Sequence, residues 1–160
     1  MIEQTKLKYR GFRISLGDGS NRDQFSANRA AFSQVFLAGD YDLLLGKIRE
    51  GDVVVDAGAN IGMFTIQAVR KVGDSGIVIA VEPQPDNITF LKENIRLNEL
   101  TNVKIITRAL YFEDNTTVSF QGNGVSGHLS ATGVNTVKTI SLKTIISELS
   151  VGHNSKTCPC

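Results

Sequence analysis

The sequence predicts an α/β domain built around a parallel sheet, and three short apolar runs carry the prediction. They are Val53–Val55, Ile77–Val81 and Val103–Thr107. The first two have no polar alternation, which is typical of strands covered on both faces. Amphipathic segments separate the three runs, and strands that alternate with helices form right-handed crossovers. We therefore expect the strands side by side in the order 3-2-1, within one domain that the 160 residues are long enough to form.

The helices follow from the spacing of apolar residues. Ile61 to Val72 carries apolar side chains at helical spacing and is closed by Gly73. After two prolines, Asp86 is expected to cap a second amphipathic helix. Residues 24–38 and 41–49 also have helical character. These helices supply the layers that cover the predicted sheet.

The segments outside the core are predicted more coarsely. Residues 7–16 alternate apolar and polar side chains, as a half-buried strand does, and residues 1–50 are expected to form an N-terminal hairpin and helices that lead into the core. The remaining predicted elements are a strand at 116–120, a mobile loop at 121–136, a strand at 137–142 and a helix at 143–149. We expect one domain over residues 1–150 and a disordered tail at 151–160.

Composition bears on the partners and the compartment. The chain has 17 Lys+Arg against 16 Asp+Glu, so a net charge of +1 gives no strong nucleic-acid signal. Four N-terminal cations are interpreted as a solvated strand face: Lys6, Lys8, Arg10 and Arg13. Cys158 and Cys160 are separated by one residue, so a disulfide between them would enclose no useful loop. No metal site is expected. No secretory signal or membrane span is visible, so a cytoplasmic protein is expected.

The segment Val55–Gly62 lies where the first strand meets the first helix, and it carries the chemistry. Gly58 permits a sharp turn, and Gly62 lets the helix lie close to the sheet or a ligand. Asp56 would repel a phosphate but attract an ammonium group, and Asn60 stands where a dinucleotide-binding loop has its second glycine. Both residues favour S-adenosylmethionine, with Asp56 on its amino group and the loop N–H groups on its carboxylate.

Glu82 follows the second strand, 24 residues after Gly58. A carboxylate at this place lies beside the glycine loop and can accept both hydroxyls of an adenosine ribose. This position serves dinucleotides and S-adenosylmethionine alike, so it indicates a nucleoside cofactor without choosing between them. An NAD-dependent oxidoreductase stays open as the alternative that Asn60 and Asp56 disfavour.

Three stretches together resemble the FkbM-type S-adenosylmethionine-dependent methyltransferases. They are Val54–Thr65 with its D-x-G-A-N-x-G core, Val81–Pro83 and Ala109–Leu110. The resemblance covers about residues 35–149 and implies a Rossmann-like methyltransferase sheet and methyl transfer to an oxygen of a sugar-like or small-molecule acceptor. The residues that it assigns to the cofactor are Asp56, Gly58, Ala59, Asn60 and Gly62 at the methionine end, Glu82 at the ribose, and Arg108 and Ala109 beside the adenine.

One part of the FkbM pattern is missing. A Lys-x-Asp-x-Glu-Gly pattern on a further core strand does not follow Leu149, so the sheet is expected to be truncated on its C-terminal side. The first strand would then have an unpaired edge, which is a liability. We expect residues 137–142 or a second copy of the chain to cover it, or nothing if the chain is a fragment. A non-catalytic nucleoside-binding remnant is the main alternative function.

His128 is the candidate for a catalytic base. It is the only His inside the predicted folded region, and a His can take a proton from an acceptor hydroxyl near neutral pH. An ordinary loop histidine is the competing interpretation, and we favour it over the catalytic one.

Overall fold

The computed structural model of the chain describes residues 6–17, 19–121, 128–129 and 135–153. Its first element is an antiparallel hairpin of strands β1 (Lys6–Tyr9) and β2 (Phe12–Ser15). The one strand predicted over residues 7–16 is therefore two strands. Arg10 and Gly11 between them both have positive φ angles, and this conformation reverses the chain.

Two helices and a π-helical segment follow the hairpin. Helix α1 (Arg22–Phe32) continues directly into a π-helical segment (Ser33–Ala38), which confirms the helical character predicted for residues 24–38. Of residues 41–49, only helix α2 (Asp42–Leu45) is helical. Wide π-helical turns are rare and often lie at functional sites.

The central sheet consists of strands β3 (Val53–Ala57), β4 (Ile77–Val81) and β5 (Val103–Ile106). β4 lies in the middle and pairs in parallel with both neighbours, and Asp56 stands opposite Ala80. The α/β fold class and the strand order 3-2-1 are therefore confirmed. All three carboxyl ends lie at one edge of the sheet, where open α/β sheets bind their ligands.

Helices α3 (Met63–Val72) and α4 (Pro85–Leu97) return the chain between these strands. Gly73 follows α3 directly, as predicted. The predicted capping role of Asp86 is wrong, because α4 begins one residue earlier at Pro85. Proline suits the first position of a helix, since the N–H group that it lacks would have no partner inside the helix.

The N-terminal elements pack on α3 and thereby lie beside the sheet. Phe12 of β2, Phe36 of the π-helical segment and Ile66 of α3 are buried in one apolar cluster. The rings of Phe12 and Phe36 meet edge to face at 5.2 Å between centroids. This packing sets the π-helical segment next to the start of α3, and so next to the carboxyl end of β3.

A second sheet follows, in the order β6 (Ala109–Leu110), β9 (Asn135–Ile140), β7 (Thr117–Gln121) and β8 (His128–Leu129). β9 pairs in parallel with β6 and antiparallel with β7. The predicted cover of the β3 edge by residues 137–142 is wrong, because most of this segment belongs to β9 and pairs in the second sheet. Within the described ranges β3 pairs only with β4, and cover by a second copy stays a prediction.

Helix α5 (Leu142–His153) extends beyond the predicted 143–149 and includes the first three residues of the predicted tail, 151–153. Ile145 of α5 is buried in a cluster with residues of β4, β5 and β9. The rest of the predicted tail, and most of the predicted loop at 121–136, lie outside the described residues. Within those residues, no helix has both the length and the apolarity that crossing a bilayer requires.

Candidate cofactor site

A cavity of about 630 Å³ lies at the carboxyl ends of β3 and β4. The end of β3, the loop after it and the residues after β4 form one wall. The N-terminal helical segments form the other wall. Five of the predicted cofactor residues line this cavity: Asp56, Gly58, Ala59, Asn60 and Glu82. The structure therefore brings together the residues at the two predicted ends of the cofactor.

Asp56 is the one buried residue of β3, with 9% of its surface exposed. Its Oδ2 accepts a hydrogen bond from the hydroxyl of Thr65 in α3. Burial raises the pKa of Asp56 from 3.8 to about 6; the Thr65 hydroxyl opposes this shift, and the charge of Glu82 adds to it. A desolvated carboxylate is stabilised by a cationic partner, so Asp56 suits an ammonium group in the cavity.

Glu82 directly follows β4 and is held by three donors. Its Oε2 accepts from the N–H of Asn60 at 2.8 Å, and its Oε1 accepts from the N–H of Gln84 at 2.9 Å. The side-chain amide of Asn87 donates to the same Oε1 at 3.2 Å. Glu82 is only 3% exposed, so these bonds compensate its burial and tie the loop after β3 to the end of β4.

The loop Gly58–Gly62 uses its N–H groups inside the protein. Those of Gly58 and Ala59 both donate to the carbonyl of Val81, at 2.9 and 3.0 Å. The other three donate to the Glu82 carboxylate, a side-chain amide and a loop carbonyl. The interpretation that these N–H groups hold a ligand carboxylate does not match this arrangement. They hold the loop against the end of β4 instead.

The two loop glycines have different reasons to be glycine. Gly62 has a φ of +87°, and a Cβ there would lie 2.6 Å from Cδ1 of Leu91, so the residue lets α4 approach the loop. Gly58 has a φ of +79°, but a Cβ there would meet nothing within 4 Å. Gly62 is thus a packing residue and is not among the residues that line the cavity, whereas Gly58 leaves open space at its wall.

Two other predicted residues, Arg108 and Ala109, are not part of the cavity lining. Arg108 is half-buried and donates to the side-chain oxygen of Asn115 at 3.3 Å. Ala109 is buried at the start of β6. His128 lies in β8, paired in register with Gln121, and its side chain is outside the described parts of the chain. Their roles beside the adenine and as a base stay predictions.

The second wall of the cavity was not predicted from the sequence. It includes Gln34 and Val35 of the π-helical segment, together with Tyr41 and Leu44. The carbonyl of Val35 accepts a hydrogen bond at 3.3 Å from the side chain of Gln67 in α3, which fastens this wall to the core. Helical spacing can show which face of such a segment is apolar, but not that the segment borders a ligand cavity.

The residues that line the cavity fit S-adenosylmethionine better than a dinucleotide. The Asp56 carboxylate beside the glycine loop would repel a diphosphate but accept hydrogen bonds from an ammonium group, whereas Glu82 can accept from the ribose hydroxyls of either cofactor. Asn60 has a φ of +52°, and its side-chain oxygen is engaged by the N–H of Ile61 at 2.7 Å. Within the described residues, no group of three or more His, Cys, Asp or Glu could hold a metal ion.

The fold and the site are those of an α/β domain of the S-adenosylmethionine-dependent methyltransferase class. Residues 22–128 match the family model of the TRM5/TYW2 methyltransferase domain, and the chain belongs to this family. The match covers more than half of the chain and confirms the predicted methyltransferase class and the predicted cofactor, S-adenosylmethionine.

Relatives of the chain share its central part. The tRNA (guanine(37)-N(1))-methyltransferase of Candida albicans is 34% identical over 73 residues, which are 43% of this chain and 16% of the relative. The tRNA(Phe) (4-demethylwyosine(37)-C(7)) aminocarboxypropyltransferase of Methanocaldococcus jannaschii is 46% identical over 54 residues, 34% of this chain and 21% of the relative. The chain thus spans about a fifth or less of these curated relatives.

Two solved structures are similar to part of this chain. The M. jannaschii TYW2 structure in complex with AdoMet is 32% identical, with a TM-score of 0.43 over 64% of this chain and 42% of that chain. The structure of Trm5b from Pyrococcus abyssi is 29% identical, with a TM-score of 0.43 over 66% of this chain and 28% of that chain.

The comparisons overturn two predictions. The FkbM assignment is wrong, because the family match is to the TRM5/TYW2 methyltransferase domain. The D-x-G-A-N-x-G loop describes the cofactor end of the site, so it does not distinguish families that differ in their acceptor. The predicted small-molecule or carbohydrate-like partner is also contradicted, because the relatives are named as tRNA-modifying enzymes. A net charge of +1 did not exclude nucleic acid, since phosphate contacts are local.

Proposed function

We propose that this domain binds S-adenosylmethionine in the cavity beside Asp56 and Glu82 and directs transfer of its methyl group to a base of tRNA. The observation that carries the proposal is the pair of buried carboxylates at the ends of adjacent strands, in a domain of this family. The tRNA acceptor is supported by relatives named for modification at position 37.

The chain's own contribution is to place the cofactor and exclude water. Bound S-adenosylmethionine supplies a methyl group activated by a sulfonium. Asp56 would hold the ammonium group, and Glu82 would accept from a ribose hydroxyl. Val35, Phe64 and other apolar side chains line part of the cavity and would limit the access of water to a bound cofactor. Orientation of the two reactants accounts for most of the rate in such a transfer.

Exposed cations on the hairpin support contact with RNA phosphates. Of the four predicted N-terminal cations, Lys6 pairs with Glu93 at 3.4 Å and Arg13 pairs with Glu99. Lys8 and Arg10 are exposed, and neither forms a salt bridge with a described residue. We expect binding of tRNA to weaken as salt is raised, in proportion to the phosphates neutralised.

Calorimetry tests the cofactor half of the proposal. S-adenosylhomocysteine is titrated into the protein, and NAD is titrated in parallel. We expect S-adenosylhomocysteine to bind and NAD to give no heat of binding, because the Asp56 carboxylate opposes a diphosphate beside the glycine loop. Binding of NAD alone would contradict the assignment of the cavity.

Isotope labelling tests the acceptor half. A tRNA transcript with guanine at position 37 is incubated with S-adenosylmethionine labelled either in the methyl group or in the carboxyl carbon. Methyl label in the tRNA, lost when position 37 is changed to adenine, supports methyl transfer. The second candidate is aminocarboxypropyl transfer, which the 46% identity to the M. jannaschii aminocarboxypropyltransferase favours. It is tested with a tRNA that carries 4-demethylwyosine at position 37, where transfer of the carboxyl label would support it. Cofactor binding with neither label transferred would refute the acceptor assignment alone.

A further inference from the structure

A chain of buried amide side chains connects the N-terminal segment to Glu82. The side-chain N–H of Asn87 donates to Glu82 Oε1 at 3.2 Å, and the side-chain oxygen of Asn87 accepts from Gln24 at 3.2 Å. Gln24 also donates to the side-chain oxygen of Asn28 at 2.8 Å, and Asn28 donates to the carbonyl of Leu16 at 3.0 Å. The chain of bonds thus runs from the end of the hairpin through α1 and α4 to the cavity.

The amides in this network are almost fully buried, which makes their orientation strict. Gln24 is 6% exposed, Asn28 is fully buried and Asn87 is 1% exposed. An amide has distinct donor and acceptor ends, and a buried end left without a partner costs free energy. Because the Asn87 oxygen is occupied by Gln24, the N–H end must face Glu82. The network therefore sets the direction of the hydrogen bond to the carboxylate.

The two oxygens of Glu82 are held unequally by the described residues. A carboxylate offers about four lone-pair positions, two on each oxygen. Oε1 accepts from both Gln84 and Asn87, whereas Oε2 accepts from the backbone N–H of Asn60. Among the described donors, Oε2 thus carries one hydrogen bond fewer than Oε1, in a residue that lines the cavity. Because this acceptor is held in place, it favours ligands whose hydroxyl group lies within hydrogen-bond distance of it.

We propose that Asn87, held by Gln24, is a positioning residue that orients the Glu82 carboxylate toward a ribose hydroxyl of the cofactor. This inference rests on the proposed function. It assigns to the N-terminal segment a part in cofactor specificity, although this segment precedes the glycine loop in sequence.

The test compares two ligands that differ only in the ribose. S-adenosylhomocysteine and its 2′,3′-dideoxy analogue are titrated by calorimetry into the wild-type chain and into Asn87→Ala. We expect the wild type to bind the dideoxy analogue about tenfold more weakly. In Asn87→Ala the ratio of the two dissociation constants, dideoxy analogue to S-adenosylhomocysteine, should fall to about threefold or less. The affinity for the dideoxy analogue itself should change little. A purely structural role would weaken both ligands equally.

Two further variants keep the result interpretable. Gln24→Leu removes the outer donor and is expected to lower the same ratio, so it serves if Asn87→Ala does not fold. Asn98→Ala is the matched control, because Asn98 ties α4 to Arg13 of β2 through two hydrogen bonds and does not contact Glu82. It should lower stability without changing the ratio. An unchanged ratio in the Asn87 and Gln24 variants would overturn the inference.

A ligand-free measurement separates this inference from the proposed function. The N–H groups of Asn60 and Gln84 both donate to Glu82, so their hydrogen exchange reports how firmly the carboxylate is held. We expect faster exchange at both sites in Asn87→Ala and not in Asn98→Ala. If no variant binds S-adenosylhomocysteine but these rates change as stated, the cofactor assignment fails and the positioning of Glu82 stands. Unchanged rates would overturn the positioning itself.

Discussion

Replacing Asp56 by Asn should stabilise the ligand-free domain and weaken the cofactor site at the same time. Burial raises the pKa of Asp56 from 3.8 to about 6. Since a tenfold change in an equilibrium constant corresponds to about 1.4 kcal/mol, ionised Asp56 costs the folded state about 3 kcal/mol at neutral pH. Asn has nearly the same shape, carries no charge and can still accept from the Thr65 hydroxyl.

The pH dependence fixes the sign of the effect. The folded state binds the Asp56 proton more tightly than the unfolded state does, so stability falls as pH rises from about 4 to about 6. Below this range Asp56 is protonated in both states, and its replacement would bring little gain. Above it the full cost of the charge applies. The Asp56→Asn variant should therefore exceed the wild type by up to about 3 kcal/mol at about pH 7.5 and by little at about pH 4.

Urea unfolding followed by far-ultraviolet circular dichroism measures this difference, since the chain has no Trp to report by fluorescence. The difference between variant and wild type is taken at each pH, which cancels the titration of the other carboxylates. Asp74→Asn is the matched control, because Asp74 is exposed and its replacement removes the same charge from the surface. This control should give no comparable pH-dependent gain.

Calorimetry with S-adenosylhomocysteine completes the test. If Asp56 binds the ammonium group, Asp56→Asn should lower the affinity by about tenfold or more at about pH 7.5, the cost of losing a charged hydrogen bond. The affinity of the wild type should itself decrease as pH falls through about 6. A stability difference that stays flat between about pH 4 and about pH 8 would refute the reasoning about burial, and unchanged affinity would refute the assignment to the ammonium group.

Three further predictions follow from single contacts. Gly62→Ala should lower the free energy of unfolding by about 2–3 kcal/mol in urea titrations, because the added Cβ would press on Leu91 of α4. Gly58→Ala should lower it by about 1 kcal/mol, because that substitution adds only the strain of a positive φ. Equal losses in the two variants would contradict this explanation. Thr65→Val removes a hydroxyl that lowers the pKa of Asp56. In the wild type, stability falls with rising pH until about pH 6, and in the variant this fall should continue to higher pH. If the fall ended at the same pH in both proteins, the Thr65 hydroxyl would not be stabilising the Asp56 carboxylate. The Thr144 hydroxyl and the backbone N–H of Ser141 lower the pKa of Asp114, so the Asp114→Asn variant should be less stable than the wild type at about pH 7. The difference in stability should shrink as pH falls below about 4. A difference that is undiminished at about pH 2 would show that the ionised carboxylate is not its cause.

The central sheet could be predicted because its strands are fixed by local patterns. Val53–Val55 and Ile77–Val81 are apolar without alternation, a pattern typical of strands in a parallel sheet. The expectation that both strands are covered on both faces is confirmed for β4, where four of five residues are buried, and is wrong for β3, where Val53 is 45% exposed. The second sheet was harder. β9 pairs with β6 and β7 through contacts between residues distant in sequence, and nothing in the apolar pattern of 137–142 distinguishes this pairing from pairing with β3.

The cofactor end of the site was also accessible from the sequence, because its chemistry constrains residue types. Asp56 and Glu82 must be acidic and must end adjacent parallel strands, and both conditions are visible in the sequence. The hydrogen bonds of the loop could not be predicted from the sequence. Whether the N–H groups of Gly58 and Ala59 face a ligand or the carbonyl of Val81 depends on the loop conformation, which residue types leave open.

The family could not be predicted from the glycine loop, for a physical reason. An ammonium group and a ribose impose the same demands whatever molecule receives the methyl group, so the residues around Asp56 and Glu82 converge across acceptors. The opposite wall, with Gln34, Tyr41 and Leu44, meets no such demand and carries no recognisable motif. The match over residues 22–128 includes this wall, and it changes the assignment from FkbM to TRM5/TYW2. Information on the acceptor is therefore expected in the N-terminal segment that packs over the site, and substitutions at Gln34 should affect transfer to tRNA more than binding of S-adenosylhomocysteine.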